Sequence, residues 1–214
     1  MANTHTFTKG EEIANAITHG IGALLSVAAL AILVSFASIH GTVIHVVSFT
    51  VYGVTMLLLY MSSTLVHSMP KGKVKDIFEI MDHASIYLFI AGSYTPILFI
   101  VVQGTLGWTL FGIVWGLATA GVIFKIFFVK RFLVLSTLFY IGMGWLAVFA
   151  IKPIIQTLPP AGVALLFAGG LCYTVGTIFY VWRKFPFHHA VWHLFVLAGS
   201  IFHFFMILFY VLPL

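Results

Sequence analysis

The chain has 214 residues, of which 62% are hydrophobic and 7% charged, with a net charge of +5. So little polar surface excludes a water-soluble globule of this length, and short breaks between apolar runs exclude a soluble ligand-binding domain. Runs close to the ~20 apolar residues that cross a ~30 Å hydrocarbon layer recur throughout. The chain therefore reads as all-α: a single seven-transmembrane domain over residues 1–214.

The tail carries His5 and one Lys, and the first apolar run (13–36) has span length with no clear Ala-x-Ala exit. A retained helix rather than a cleaved signal is expected. At its start, in EEIANAITH, Glu12, Asn15 and His19 are spaced three and four apart and line one helical face. A solvated first turn accounts for Glu12; it does not account for His19, about two turns deeper.

After ASIHGT, the second span (43–67) closes on SSTLVH, in which Ser63 and His67 share a face. The Ser63 hydroxyl either serves a site beside His67 or bonds back to the carbonyl of residue 59. SMPKGKVKD leads to the third span (77–102), and Asp82 stands near its start. In the fourth span (108–129), GIVWG at 112–116 reads as close helix packing, and Trp108 as an interfacial anchor.

KIFFVKRF, at 125–132, is the only polar interruption before the fifth span (133–155). The sixth span (161–182) holds the lone Cys172, a small packing residue that excludes an intrachain disulfide, and ends on Trp182, a second anchor. RKFP then introduces HHAVWH and the seventh span (187–212).

Charge placement sets the topology. With a cytoplasmic N-terminus and seven crossings, Lys9, Lys71, Lys73, Lys75, Lys125, Lys130, Arg131, Arg183 and Lys184 share one side and only Lys152 lies opposite. Short loops with this bias obey the positive-inside rule, which puts the C-terminus outside the cell in a multi-pass plasma (cytoplasmic) membrane protein. The five acidic residues, Glu11, Glu12, Asp76, Glu79 and Asp82, also fall inside, so the net charge reflects topology and no nucleic-acid partner is expected. A six-span alternative that merges the fourth and fifth spans would push Arg183 and Lys184 outside and break the pattern.

In this topology His67, Asp82, His189 and His193 arrive at the cytoplasmic ends of three helices. His189 and His193 lie one turn apart on one face. Each alone has a bland reading as a hydrogen-bonded intramembrane residue. Together they are costly to desolvate unless they satisfy one another, and a cation does that directly. Three imidazoles with an open position suit Zn²⁺.

EEIANAITHG, SSTLVHS, DHASIYLFIAGSYTP and HHAVWHLFVLAGSIFH, taken in order, resemble the motifs of the hemolysin III branch of the progestin and adipoQ receptor family. The resemblance runs from about residue 8 to the C-terminus. It implies a seven-helix bundle with zinc near the cytoplasmic face, held by His67, His189 and His193, with Asp82 and Ser63 beside the water at the metal. The wider group includes the alkaline ceramidases, so the resemblance also implies a hydrolase-type site. The short N-terminal region and the end at Leu214 depart from the receptor members and speak against a hormone-receptor role.

Three functional readings stand at this point. One is a zinc-dependent hydrolase of lipid amides or esters, or a sensor of fatty acyl groups, in which Asp82 orients and deprotonates water and Ser63 donates to the oxyanion. The second is a bundle pinned by structural zinc. The third is a channel or cytolysin, which the apolar chain supports poorly. Membrane lipids or fatty acyl chains are the expected partners, and a homo-oligomer is allowed. His5, His40, His45, His83 and His188 read as interfacial, while His203 lies too deep for the same metal and is expected to hydrogen-bond inside the bundle beside a lipid cavity.

Overall fold

A computed structural model of the chain describes residues 7–214; His5 lies outside them. Seven helices are long and apolar enough to cross a membrane: Lys9–His40, Val43–Ser68, Lys73–Val102, Gly104–Phe128, Leu133–Thr157, Pro160–Val181 and His188–Val211. No strand occurs among the described residues. The first span packs on the second, the second on the third and the sixth on the seventh, and the seventh returns to the first. The chain is a multi-pass membrane protein. The end of the bundle that carries Lys9, Lys71, Lys73, Lys75 and Lys130 is called the basic end below.

Local chemistry fixes the helix ends and breaks. The first helix begins at Lys9, ahead of the apolar run at 13, because Thr8 caps it: Glu11 Oε2 accepts the Thr8 N–H at 2.8 Å and its hydroxyl at 2.9 Å. In the third span, Pro96 has no N–H to give, and the helix widens to π-type turns over Ile97–Val102. The fifth span tightens to a 3-10 stretch over Trp145–Ala150. There the Tyr94 hydroxyl donates to the Gly144 carbonyl at 2.6 Å and accepts the Ala147 N–H at 2.8 Å. Backbone groups freed from the helical ladder must find such partners, since lipid offers none. At the basic end, Lys130 Nζ reaches Asp76 at 2.7 Å and Glu79 at 3.5 Å, joining the loop after the fourth span to the third, and the Asp76 hydrogen bond holds that ammonium above its ordinary pKa.

Glycines set the closest helix approaches, though not where GIVWG suggested. A Cβ at Gly22 would strike the Tyr60 ring, at Gly92 the Thr55 side chain and at Gly121 the Tyr87 ring. A Cβ at Gly112 or Gly116 would meet nothing within 4 Å. The helical period explains the reversal: Val114, Ala118 and Gly121 occupy the buried face of the fourth span, so residues 112 and 116 point outward. Large apolar side chains such as Leu24, Val43 and Phe149 are likewise exposed on the outer surface, as a hydrocarbon solvent permits.

Candidate metal centre

His67 from the second span and His189 and His193 from the seventh each bring one ligand atom to within 4.8 Å of the others. Their ring centroids lie 5.1 Å (67 to 189), 5.4 Å (67 to 193) and 4.5 Å (189 to 193) apart. All three residues are buried, and in all three Nε2 has no hydrogen-bond partner.

The other ring nitrogens explain which atom faces inward. His67 Nδ1–H donates to Glu12 Oε2 at 2.6 Å, and Glu12 Oε1 accepts from Lys75 Nζ at 2.6 Å. His193 Nδ1–H donates to the Asn15 carbonyl at 3.2 Å. A carboxylate and a carbonyl only accept, so the proton belongs on Nδ1 and the lone pair on Nε2. A carboxylate or carbonyl behind a ligating histidine is the usual support of a metal site. The donor set, neutral imidazoles with orphaned nitrogens converging, fits a borderline cation such as Zn²⁺.

Asp82 and Ser63 are both buried. Asp82 has the Ser63 hydroxyl and His67 among its interacting neighbours, and its Oδ2 lies 3.8 Å from His83 Nδ1. The tight trio itself consists of imidazoles alone. Ser63 Oγ makes no hydrogen bond; the back-bond to Leu59 is made by Ser62, at 3.0 Å. Ser63 thus keeps its hydroxyl for the space beside Asp82.

First-span residues flank the trio without joining it. Glu12 is an orienting partner of His67 rather than a solvated first-turn residue. The Asn15 side chain makes no hydrogen bond, while its carbonyl serves His193. The His19 ring stacks on His193 with centroids 3.4 Å and planes 11° apart, and neither of its nitrogens has a partner.

Two histidines expected at the interface are buried instead. His188 Nδ1–H donates to the Phe179 carbonyl at 3.1 Å, near the end of the sixth span, and His45 Nδ1 accepts the Thr42 N–H at 3.2 Å, at the start of its own helix. His40 is exposed, and His83 is partly buried with Nδ1 at 2.8 Å from the Glu79 carbonyl. His203 meets the Leu166 carbonyl at 3.1 Å, the hydrogen bond expected inside the bundle.

Sequence reasoning missed Glu11, Phe7, Lys75 and Tyr180. Glu11 Oε1 accepts the Phe187 N–H at 3.1 Å, tying the start of the first span to the turn that launches the seventh. Its signal was the Thr8-x-x-Glu11 capping box. The Phe7 ring covers the trio from the basic end, 5.0 Å from His189 and 5.7 Å from His67. Tyr180, from the sixth span, carries no spacing signal.

From this site a cavity of ≈ 200 Å³ runs toward the opposite end of the bundle. His19, Tyr180 and Trp192 line its metal end; Leu59, Phe89, Ile154 and Met206 are among the apolar residues beyond. His203 borders it, and so do Val148 and Phe167, which are exposed on the outer surface, so its mouth faces lipid between the fifth and sixth spans.

Residues 7–204 match the family model described as haemolysin-III related. The chain is 62% identical over 213 residues to Hemolysin-3 of Bacillus cereus, covering 100% of this chain and 97% of that protein. It is 60% identical over 204 residues to the Hemolysin-3 homolog of Bacillus subtilis (strain 168), covering 95% and 96%. It is also 31% identical over 163 residues to the human monocyte to macrophage differentiation factor, covering 73% of this chain and 67% of that protein.

Proposed function

The chain belongs to the haemolysin-III-related family, and on that premise we propose that it is a zinc-dependent plasma-membrane protein that acts on lipid amides or esters, its basic end facing the cytoplasm. The observation that carries this reading is the convergence of three orphaned Nε2 atoms beside a largely apolar cavity whose mouth faces the bilayer. His67, His189 and His193 would hold the ion. When bound, it supplies Lewis acidity and makes hydroxide available near neutral pH.

The chain's own residues do the rest. Asp82, buried next to Ser63, accepts a proton and orients water. The free Ser63 hydroxyl donates to negative charge developing on a carbonyl oxygen. The apolar cavity wall excludes water along the acyl chain and directs its carbonyl toward the basic end.

A structural-zinc reading is favoured by one observation: the three imidazoles come from two spans and lean on a third through Glu12 and Asn15, so a cation there would staple the first, second and seventh spans together. It gives Ser63 and Asp82 nothing to do. A cytolysin draws support only from the names of the Bacillus relatives. Elemental analysis of the purified protein, followed by incubation with a panel of N-acyl and ester lipids, tests the proposal. Bound zinc with release of fatty acid supports it. Bound zinc with no turnover of any lipid leaves the staple, and dye release from liposomes on external addition would restore the cytolysin.

A further inference from the structure

Among the described residues, the buried polar atoms without a hydrogen-bond partner include three Nε2 atoms suited to a cation and Ser63 Oγ beside Asp82. That leaves, on the walls of the cavity, both ring nitrogens of His19 and the hydroxyl of Tyr180. His19 is 1% exposed and Tyr180 3%. Native proteins rarely leave such groups unmatched, and hydrocarbon cannot match them. The Asn15 amide is also unmatched but does not line the cavity.

The two side chains come from opposite ends of the sequence and meet around one indole. The Trp192 ring is 6.2 Å from His19 and 4.6 Å from Tyr180. Each also leans on a different metal-site histidine: His19 stacks on His193, and the Tyr180 ring is 6.0 Å from His189. A group held between them is therefore held against the metal centre. Everything deeper in the cavity is largely apolar, so a partner arriving by that route has a polar head and an apolar tail.

We infer that His19 and Tyr180 form a binding sub-site at the metal end of the cavity, which holds a lipid headgroup carrying both a hydrogen-bond donor and an acceptor, such as a secondary amide or a hydroxyl. A neutral imidazole has one accepting and one donating nitrogen, and a phenol donates to a carbonyl. An ester has no N–H or O–H to give, so it leaves the accepting nitrogen of His19 unmatched. Sites built around hydrogen-bonding groups discriminate strongly against analogues that lack them. The inference rests on the lipid reading proposed above and narrows it.

The test uses detergent-solubilised, metal-loaded protein and native mass spectrometry with three ligands of equal tail: N-oleoylethanolamide, methyl oleate and octadecene. Wild-type protein should retain the amide about tenfold more tightly than the ester, the value of one good hydrogen bond. In His19→Leu that preference should fall to about twofold, whereas Tyr180→Phe, which removes the donor to a carbonyl that both ligands share, should weaken the amide and the ester alike by about tenfold relative to octadecene, with zinc content and octadecene binding unchanged in both. Should His19→Leu lose metal, Tyr180→Phe, which removes one oxygen atom, decides alone, through the loss of amide and ester binding relative to octadecene. Unaltered amide and ester binding in Tyr180→Phe, or no amide preference in wild type although all three ligands bind, overturns the sub-site and leaves the lipid cavity standing. A wild-type protein that retains none of them overturns both.

Discussion

Removing the Glu12 carboxylate tests whether the His67 imidazole is held for a metal. Glu12 Oε2 accepts the His67 Nδ1–H at 2.6 Å, while Oε1 binds Lys75, and the Glu12 side chain is 24% exposed. Partners behind a ligating histidine are typically worth 10- to 100-fold in metal affinity, or about 1.4 to 2.8 kcal/mol. Glu12→Ala also strands a buried Nδ1–H, so the loss should fall within that range. Glu12→Gln keeps an acceptor but gives up the charge-assisted bond, roughly half its strength, and should lose about three- to tenfold. The ion pair with Lys75 is partly exposed and worth under about 1 kcal/mol, so Lys75→Met should change affinity by less than about fivefold. The assay is competition of the purified protein against a zinc-binding dye, with circular dichroism to verify folding. A folded Glu12→Ala protein whose zinc affinity stays within about twofold of wild type would refute the reasoning.

Four further outcomes are expected. The double variant His189→Ala, His193→Ala should lose bound metal by elemental analysis, because one imidazole cannot hold the ion. Asp82→Asn should keep zinc and thermal stability while lipid hydrolysis falls about 10²-fold or more; activity at the wild-type level would remove Asp82 from the chemistry. Chelation should lower the thermal midpoint reversibly, since a ligand at 1,000 times its Kd adds about 4 kcal/mol to the folded state; an unmoved midpoint would argue against a staple. Gly22→Ala and Gly121→Ala should each destabilise by about 1 to 3 kcal/mol through collision with Tyr60 and Tyr87, whereas Gly112→Ala and Gly116→Ala should leave the melting curve in place.

His189 and His193 could be paired from the sequence because four residues make one helical turn, and that geometry needs no tertiary contact. The seven spans were legible for a similar reason: bilayer thickness sets the length of an apolar run, whatever the helices pack against. Span ends were read less well where polar chemistry made them, as at Thr8 and Glu11, since an apolar window does not register a cap. The outward turn of Gly112 and Gly116 was misread because a small-residue spacing says that helices could approach there without saying on which side a neighbour stands.

By itself, then, the sequence determined a seven-helix membrane bundle and a pair of histidines one turn apart, because both follow from short-range periodicity and the thickness of the solvent. Only the tertiary structure decided that the three imidazoles expected together do meet, that Glu12 and the Asn15 carbonyl turn the nitrogens of His67 and His193 inward, and that Tyr180 and His19 line one end of a cavity on either side of Trp192. Those contacts join residues up to about 180 positions apart. Which face of one helix meets which face of another depends on the packing of the whole bundle, a global minimum that no local pattern encodes.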